Sequence, residues 1–404
     1  MLTRRAFLRS AATAVSMGAT WRLWAAQGTP SARFLLVFLR GACDGLSVLV
    51  PYKEPFYYEM RPHIAIPPPV TGGATGQAAV ALDGRWALHP TMADELFPLW
   101  EAGQLAFVPF AGTGFVSRSH FQAQDWIEFG QRPGASPDTS NGFLNRLLAE
   151  LGTTSDGVSF TTTLPEILQG GVRVANAPLT GKGKRGPVLC KWERRVQEMY
   201  AGHPIESLAR DGIGLRREIA AELREEMQAA SREAAPADSF AVEAGRVGRL
   251  LRERPQYSVG FVDIGGWDTH AGQGGVSGAL ATRLDALASG LGQLATALGP
   301  REWDRTVVVV LTEFGRTFRE NGSRGTDHGH GTTLMVLGGQ VRGGAVRGSQ
   351  AGLGPGQLHE DRDVPVINEY RATLAGLYGR MYGLSETALD RVLPGARAID
   401  LGLL

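Results

Sequence analysis

The stretch Phe34-Leu35-Leu36-Val37-Phe38-Leu39 runs straight into Arg40-Gly41-Ala42-Cys43-Asp44-Gly45. Six consecutive apolar residues without polar alternation mark a strand buried on both faces, as in a parallel sheet covered by helices. The polar, glycine-rich turn after it lies where open α/β sheets place their ligands, beyond the strand's carboxyl end. The same pairing recurs along the chain. Leu105–Phe110 precedes Gly112 to Gly114 and Ser117-Arg118-Ser119-His120, and Ser258–Asp263 precedes Gly265-Gly266-Trp267-Asp268-Thr269-His270. Thr306–Thr312 precedes Glu313-Phe314-Gly315-Arg316, and Leu334–Leu337 follows Gly325-Thr326-Asp327-His328-Gly329-His330-Gly331.

Between these runs, apolar residues recur at three-to-four spacing over Phe121–Phe129, Leu144–Leu151, Glu193–Tyr200, Leu208–Ala230, Phe240–Arg252 and Leu280–Leu298, which predicts helices. Strands alternating with helices predict an α/β fold: a doubly wound, mostly parallel sheet flanked by helices. Segments 53–88 and 152–187, rich in Gly, Pro and Thr, read as excursions over the sheet. The helical stretch 190–252 reads as an inserted cap.

The 404 residues carry 41 Lys+Arg against 40 Asp+Glu, and no basic run of five or more. Nucleic acid is therefore not the expected partner, because phosphate binding needs a concentrated positive field. The 54 glycines follow no period, which argues against a fibrous fold. Residues 1–30 read as a twin-arginine signal: Arg4-Arg5, then Phe7-Leu8, then a mild small-residue stretch from Ala11 to Thr20, with no acid before Asp44. That implies export of a folded protein to the periplasm or beyond, with the Tat translocase as partner and one domain over 31–404. No later run reaches the length of a membrane span. Cys43 and Cys190 would enter an oxidising compartment and could pair.

The strand-end loops hold four of the eight histidines, His120, His270, His328 and His330, beside Asp44, Asp263, Asp268, Glu313 and Asp327. Imidazole and carboxylate together suit a borderline divalent cation such as Zn²⁺ or Mn²⁺, with Ca²⁺ as a further option, and one or two ions fit the supply. Ser119, at the mouth of a helix, is the leading nucleophile, with Ser117 as fallback; either could instead be the helix N-cap. Arg118 and Arg316 could clamp tetrahedral oxyanions, or brace loops as ion pairs. His89 reads as structural, and His63, His203 and His359 as surface residues. Trp267 either walls the pocket or packs.

These motifs bring a family into view. LVFLRGACDGLSVLVP (36–51), WALHP (86–90), SRSHFQAQD (117–125), VDIGGWDTH (262–270), TEFGRT (312–317) and GTDHGHG (325–331) resemble the Tat-exported domain-of-unknown-function 1501 family, grouped with the alkaline phosphatase and arylsulfatase superfamily. The resemblance implies an alkaline phosphatase-like fold and a metal-dependent hydrolase of phosphate or sulfate esters acting on a small anionic ester or glycan. It implies Asp44 as a metal ligand, Ser119 or Ser117 as nucleophile, Asp268 with His270 as ligands (Asp263 as the rival carboxylate), and His328 or His330 as a final imidazole. The chain departs from the superfamily at Glu313-Phe314, where an Asp-His pair is expected. His120 or the extra histidine of 325–331 could restore that ligand. The departure also motivates a second reading, a non-catalytic exported protein holding an anionic glycan or a protein partner.

Overall fold

The computed structural model describes residues 32–70, 77–132, 139–153, 155–179, 199–203, 206 and 230–404. Residues 1–30, read above as a signal, Cys190 and most of 190–229 lie outside them. The main elements run β1 (Arg33–Leu39), α1 (Ala93–Glu101), β2 (Leu105–Gly112), α2 (His120–Phe129), α3 (Phe143–Leu151), β3 (Asp156–Ser159), β4 (Val174–Asn176), α4 (Ala237–Glu253), β5 (Tyr257–Gly265), α5 (Ala279–Trp303), β6 (Thr306–Thr312), β7 (Thr332–Leu337), α6 (Tyr370–Tyr382) and α7 (Glu386–Val392).

β1 is buried at every residue because helices cover both sides of the sheet. Its odd residues Leu35, Val37 and Leu39 enter one core with Phe240, Ala244, Val247 and Leu251 of α4 and with α5. Phe34, Leu36 and Phe38 enter the other, with α3, α6 and α7. The pleat sends neighbours to opposite faces, so both faces must be apolar and the alternation disappears. This is the three-layer α/β arrangement expected from the sequence.

The sheet order is β2-β7-β6-β1-β5-β3-β4, with two-residue strands Ala345–Val346 and Asn368–Glu369 on β2 and Ala235–Pro236 on β5. β1 pairs in parallel with β6 and β5, and β3 with β5 and β4. β7 alone among the main strands runs antiparallel, to both β6 and β2. All the others therefore point the same way. The carboxyl ends of β1, β2, β5 and β6 share one edge with the start of β7. That topology brings the loop before β7 to the edge that receives the loops after the other strands.

Two expectations need adjusting. Segment 152–187 is not wholly an excursion, since β3 and β4 build the sheet's edge from it. Within 53–88 lie a short helix, Pro55–Met60, and part of a small three-stranded sheet formed by Leu49–Val50, Val80–Ala81 and Ala87–Leu88. The last quarter of the 190–252 stretch falls in α4, which packs into the main core through Phe240, Ala244, Val247 and Leu251; most of the rest lies outside the described residues. Among the described residues no helix is long and apolar enough to cross a membrane.

His89 has the structural role expected of it. It is fully buried. Its Nδ1 accepts from the Thr91 N–H at 3.2 Å and Oγ1 at 2.9 Å, and its Nε2 donates to the Gly275 carbonyl at 3.2 Å. Burial pushes its pKa down from 6.5 to about 4. The unfolded chain takes up this proton below pH 6.5 and the folded chain only near pH 4. Stability should thus fall as pH drops through that window, by about 3 kcal/mol in total. Urea unfolding at pH 7, 6, 5 and 4 should show a shallower loss for His89→Gln than for the wild type. Equal slopes would remove His89 as the source.

Candidate metal centre

Glycine lets the first loop reach the site. Gly41 has φ +114°, and a Cβ there would lie 2.8 Å from the Asp268 backbone nitrogen, so only glycine permits the β1 and β5 loops to meet. Asp268 is buried at the centre of the cluster. Its Oδ1 accepts from Arg316 Nη1 at 2.5 Å and lies 3.0 Å from His270 Nε2 and 3.2 Å from His328 Nε2. Its Oδ2, 3.5 Å from His120 Nε2, is buried with no hydrogen-bond partner among the described residues. His328 Nε2 also lies 2.9 Å from His120 Nε2 and 2.8 Å from His270 Nε2.

The outer nitrogen of each ring fixes its tautomer. His120 Nδ1 faces Glu313 Oε1 at 2.8 Å, His270 Nδ1 faces Asp327 Oδ1 at 3.1 Å, and His328 Nδ1 faces the Arg118 carbonyl at 2.7 Å. Carboxylate and carbonyl oxygens only accept, so each Nδ1 carries the hydrogen. The neutral rings consequently aim three Nε2 lone pairs at one another and at Asp268. Such an arrangement requires a positive charge among the donors. An imidazole whose other N–H is anchored on a carboxylate or carbonyl is also the pattern of a metal ligand. His120, Asp268 and His328 bring one ligand atom each within 4.8 Å of one another. His270 touches two of them. The donor set and the orphaned Asp268 oxygen fit a divalent cation.

The electrostatics show the same need for positive charge, which protons on the imidazoles meet when no cation does. Burial opposes charge on Asp268, but protonated His120, His270 and His328 beside it, with the Arg316 guanidinium, hold its carboxyl far below the usual carboxylate range. Burial alone would lower His120, yet Asp268 and Glu313 on its two sides raise it to about 9. Glu313 is brought down to about 2, against its burial, by His120 and Gln124.

Several expected ligands take other roles. Glu313 accepts at Oε1 from the Gly41 N–H, His120 and Gln124, and at Oε2 from Thr312; saturated with donors, it orients His120. Asp327 accepts from His270 and from Asn321 at 3.0 Å, and orients His270. Asp44 is buried in a bidentate pair with Arg61, at 2.6 and 3.1 Å, and also accepts from Ser47 at 2.7 Å and Gln273 at 2.8 Å, so its charge is spent away from the imidazoles. Asp263 pairs with Arg40 at 2.7 Å, away from the imidazoles. His330 sets its ring against His359 instead, with centroids 4.7 Å apart and the planes tilted by 35°.

The cationic and hydroxyl candidates also sort themselves. Arg316 is buried, with Nη1 on Asp268 and Nε and Nη2 on Thr326, which makes it the brace of Asp268 and no free clamp. Arg118 is half-exposed and pairs with Glu360 at 3.1 Å; its contribution to the centre is its carbonyl. Ser119 is the N-cap of α2, its Oγ accepting from the Gln122 N–H at 3.5 Å. Ser117 Oγ accepts from the Ser119 N–H at 3.1 Å and donates to Gln122 Oε1 at 2.9 Å. Trp267 packs in the core, and Cys43 is buried.

The supporting network was missed by sequence reasoning. Gln273 is fully buried, its amide nitrogen on Asp44 and its oxygen accepting from Thr269 at 2.8 Å and Thr326 at 2.7 Å. It thereby links the Asp44–Arg61 pair to Thr326, on which Arg316 rests. Nothing local marks Arg61 or Gln273. Gln124 and Glu128 did carry a signal: they follow His120 at four and eight residues, on the same face of α2.

Residues 31–393 match the model of a protein family of unknown function, DUF1501, and the chain belongs to that family. No curated protein sequence matches it. Among solved structures, the chain is similar to a protein in the alkaline phosphatase superfamily from Vibrio parahaemolyticus (10% identity, TM-score 0.40), covering 87% of this chain and 66% of that one. It is also similar to the lipoteichoic acid synthase LtaP from Listeria monocytogenes (8%, TM-score 0.40, covering 93% and 77%). A third is the phosphonate monoester hydrolase of Agrobacterium radiobacter (12%, TM-score 0.36, covering 88% and 74%).

Proposed function

We propose that the protein is an exported, metal-dependent hydrolase of a phosphate or sulfate ester, with His120, Asp268 and His328, assisted by His270, holding one divalent cation of the zinc or manganese type. The observation that carries this reading is the set of three imidazoles whose Nδ1–H groups are all anchored, leaving three Nε2 lone pairs aimed at Asp268. When bound, such a cation supplies Lewis-acid polarisation of an ester oxygen or of the attacking hydroxyl. Ser119 is the nucleophile in this reading. Its Oγ only accepts in the cap, so its O–H remains to give up a proton, and it sits one residue from His120. Ser117 is committed on both sides. Attack by Ser119 Oγ forms an O–P or O–S bond as the leaving alcohol departs with a proton, and water then cleaves the seryl ester. The free N–H groups of the first turn of α2 favour the anionic group. The paired Arg4-Arg5 supports export through the Tat translocase.

One observation favours the alternative of a non-catalytic binding protein: Arg118 and Arg316 are both committed to carboxylates. Elemental analysis of the purified protein, with turnover of aryl phosphate and aryl sulfate, separates the two readings. The hydrolase reading expects about one equivalent of cation, lost in His270→Ala and His328→Ala, and a fall in turnover of roughly a hundredfold or more in Ser119→Ala. Bound cation with no turnover of any ester would favour the binding protein. Absence of cation after offering zinc, manganese and calcium would remove the metal reading itself.

A further inference from the structure

A cavity of about 180 Å³ opens at the carboxyl ends of β3 and β5, lined among others by Arg40, Glu128, Thr162, Glu166, Arg232 and Asp263. We propose that it binds a small organic ammonium group, an amine carried on a body the size of one sugar ring. Its wall carries four carboxylates, Glu128, Glu166, Glu233 and Asp263, against two guanidinium groups, Arg40 and Arg232. Both guanidiniums are already engaged. Arg40 holds Asp263 and Glu128 at 2.7 Å each, and Arg232 lies 3.5 Å from both Glu128 and Glu166 and also pairs with Asp125. An anion would add to an existing negative excess. A cation relieves it.

The independent sign of a ligand is Asp263. It is 4% exposed and lines the cavity, and its Oδ1 is buried with no hydrogen-bond partner among the described residues. A buried carboxylate oxygen without a donor is costly, and a ligand N–H or O–H meets that need. A metal ion fits less well, because the three ligand atoms found close enough to share an ion belong to His120, Asp268 and His328, none of which lines this cavity. An ammonium has three diverging N–H donors and can reach acceptors set further apart. The cavity is smaller than the roughly 300–1,000 Å³ of drug-sized sites, which limits the occupant to a single ring. The crowding of Glu166 by burial, Asp125 and Glu128, which raises its pKa, points to the same need for positive charge.

The site is distinct from the candidate metal centre yet wired to it. Asp263 meets Arg40, Arg40 Nη1 donates to Gln124 Oε1 at 2.9 Å, Gln124 Nε2 donates to Glu313 Oε1 at 2.9 Å, and Glu313 holds His120. Calorimetric titration of the purified full chain, as isolated with any bound cation, should use glucosamine as probe and glucose as its neutral control. Glucosamine should bind in the millimolar range, at least about tenfold more tightly than glucose. Asp263→Asn and Thr162→Trp should each weaken it by about tenfold or more, the second by filling the cavity mouth without breaking the Arg40 pair. His328→Ala should leave glucosamine binding unchanged, so loss of the hydrolase reading would not remove this one. Equal binding of glucose, no binding of glucosamine to the wild type, wild-type affinity in both cavity variants, or loss of binding in His328→Ala would each overturn the proposal.

Discussion

Replacing Asp268 by alanine should both strip the protein of its divalent cation and lower its unfolding free energy by about 3–5 kcal/mol. Two effects combine at one carboxylate. Asp268 is the carboxylate on which His270, His328 and the buried Arg316 all converge, and its buried Oδ2 has no hydrogen-bond partner among the described residues and is open to a cation. Its removal leaves the Arg316 guanidinium buried without its charge partner, which costs far more than the loss of an exposed ion pair. Urea unfolding of the cation-free wild type and variant isolates the structural part, and elemental analysis of both at neutral pH isolates the binding part. An Asp268→Ala protein that retains the full equivalent of cation would sink the assignment of this cluster as the centre.

For Asp44 the expected result separates position in a motif from position in space. Resemblance to the superfamily makes Asp44 a ligand, whereas its carboxylate is held by Arg61, Ser47 and Gln273. Asp44→Asn should therefore keep the cation while losing roughly 3 kcal/mol or more of stability, because Arg61 is fully buried and would lose the charge it faces. Burial alone would raise the Asp44 pKa, yet Arg61 and the hydrogen bonds hold it below its ordinary value. Its stabilisation is consequently present above the unfolded carboxyl pKa and is lost as pH falls through the folded one. The gap between wild type and Asp44→Asn should narrow in acid. Loss of the cation from folded Asp44→Asn at neutral pH would restore Asp44 to the metal.

Much of the candidate centre is legible in the sequence. His120, Asp268, His270 and His328 each stand in a glycine-bearing loop next to a run of strand residues, and sheet topology gathers such loops at one edge. The residues that the structure places elsewhere share one feature. Asp44, Asp263, Glu313 and Asp327 have the right chemistry and the right loops, but a carboxylate serves equally as a ligand, as the anchor of a ligand's N–H, or as the partner of a buried arginine. His330 shows the same limit, because a two-residue offset from His328 sends its ring to His359.

The sequence by itself determined the sheet, since continuous apolar strands such as Phe34–Leu39 can be buried only between two helical layers, and it determined which loops carry the polar residues. It also determined the helix-face series His120, Gln124 and Glu128, since spacing of four places side chains on one face. Only the tertiary structure decided which carboxylate meets which cation. Arg61 lies 17 residues from Asp44, and Arg40 lies 88 from Glu128 and 223 from Asp263. The reversal of β7 was likewise a tertiary decision, because an apolar strand pairs in either direction and only its neighbours fix which. That reversal brings His328 to His120 and Asp268, where buried charge must find its partner or pay the full cost of leaving water.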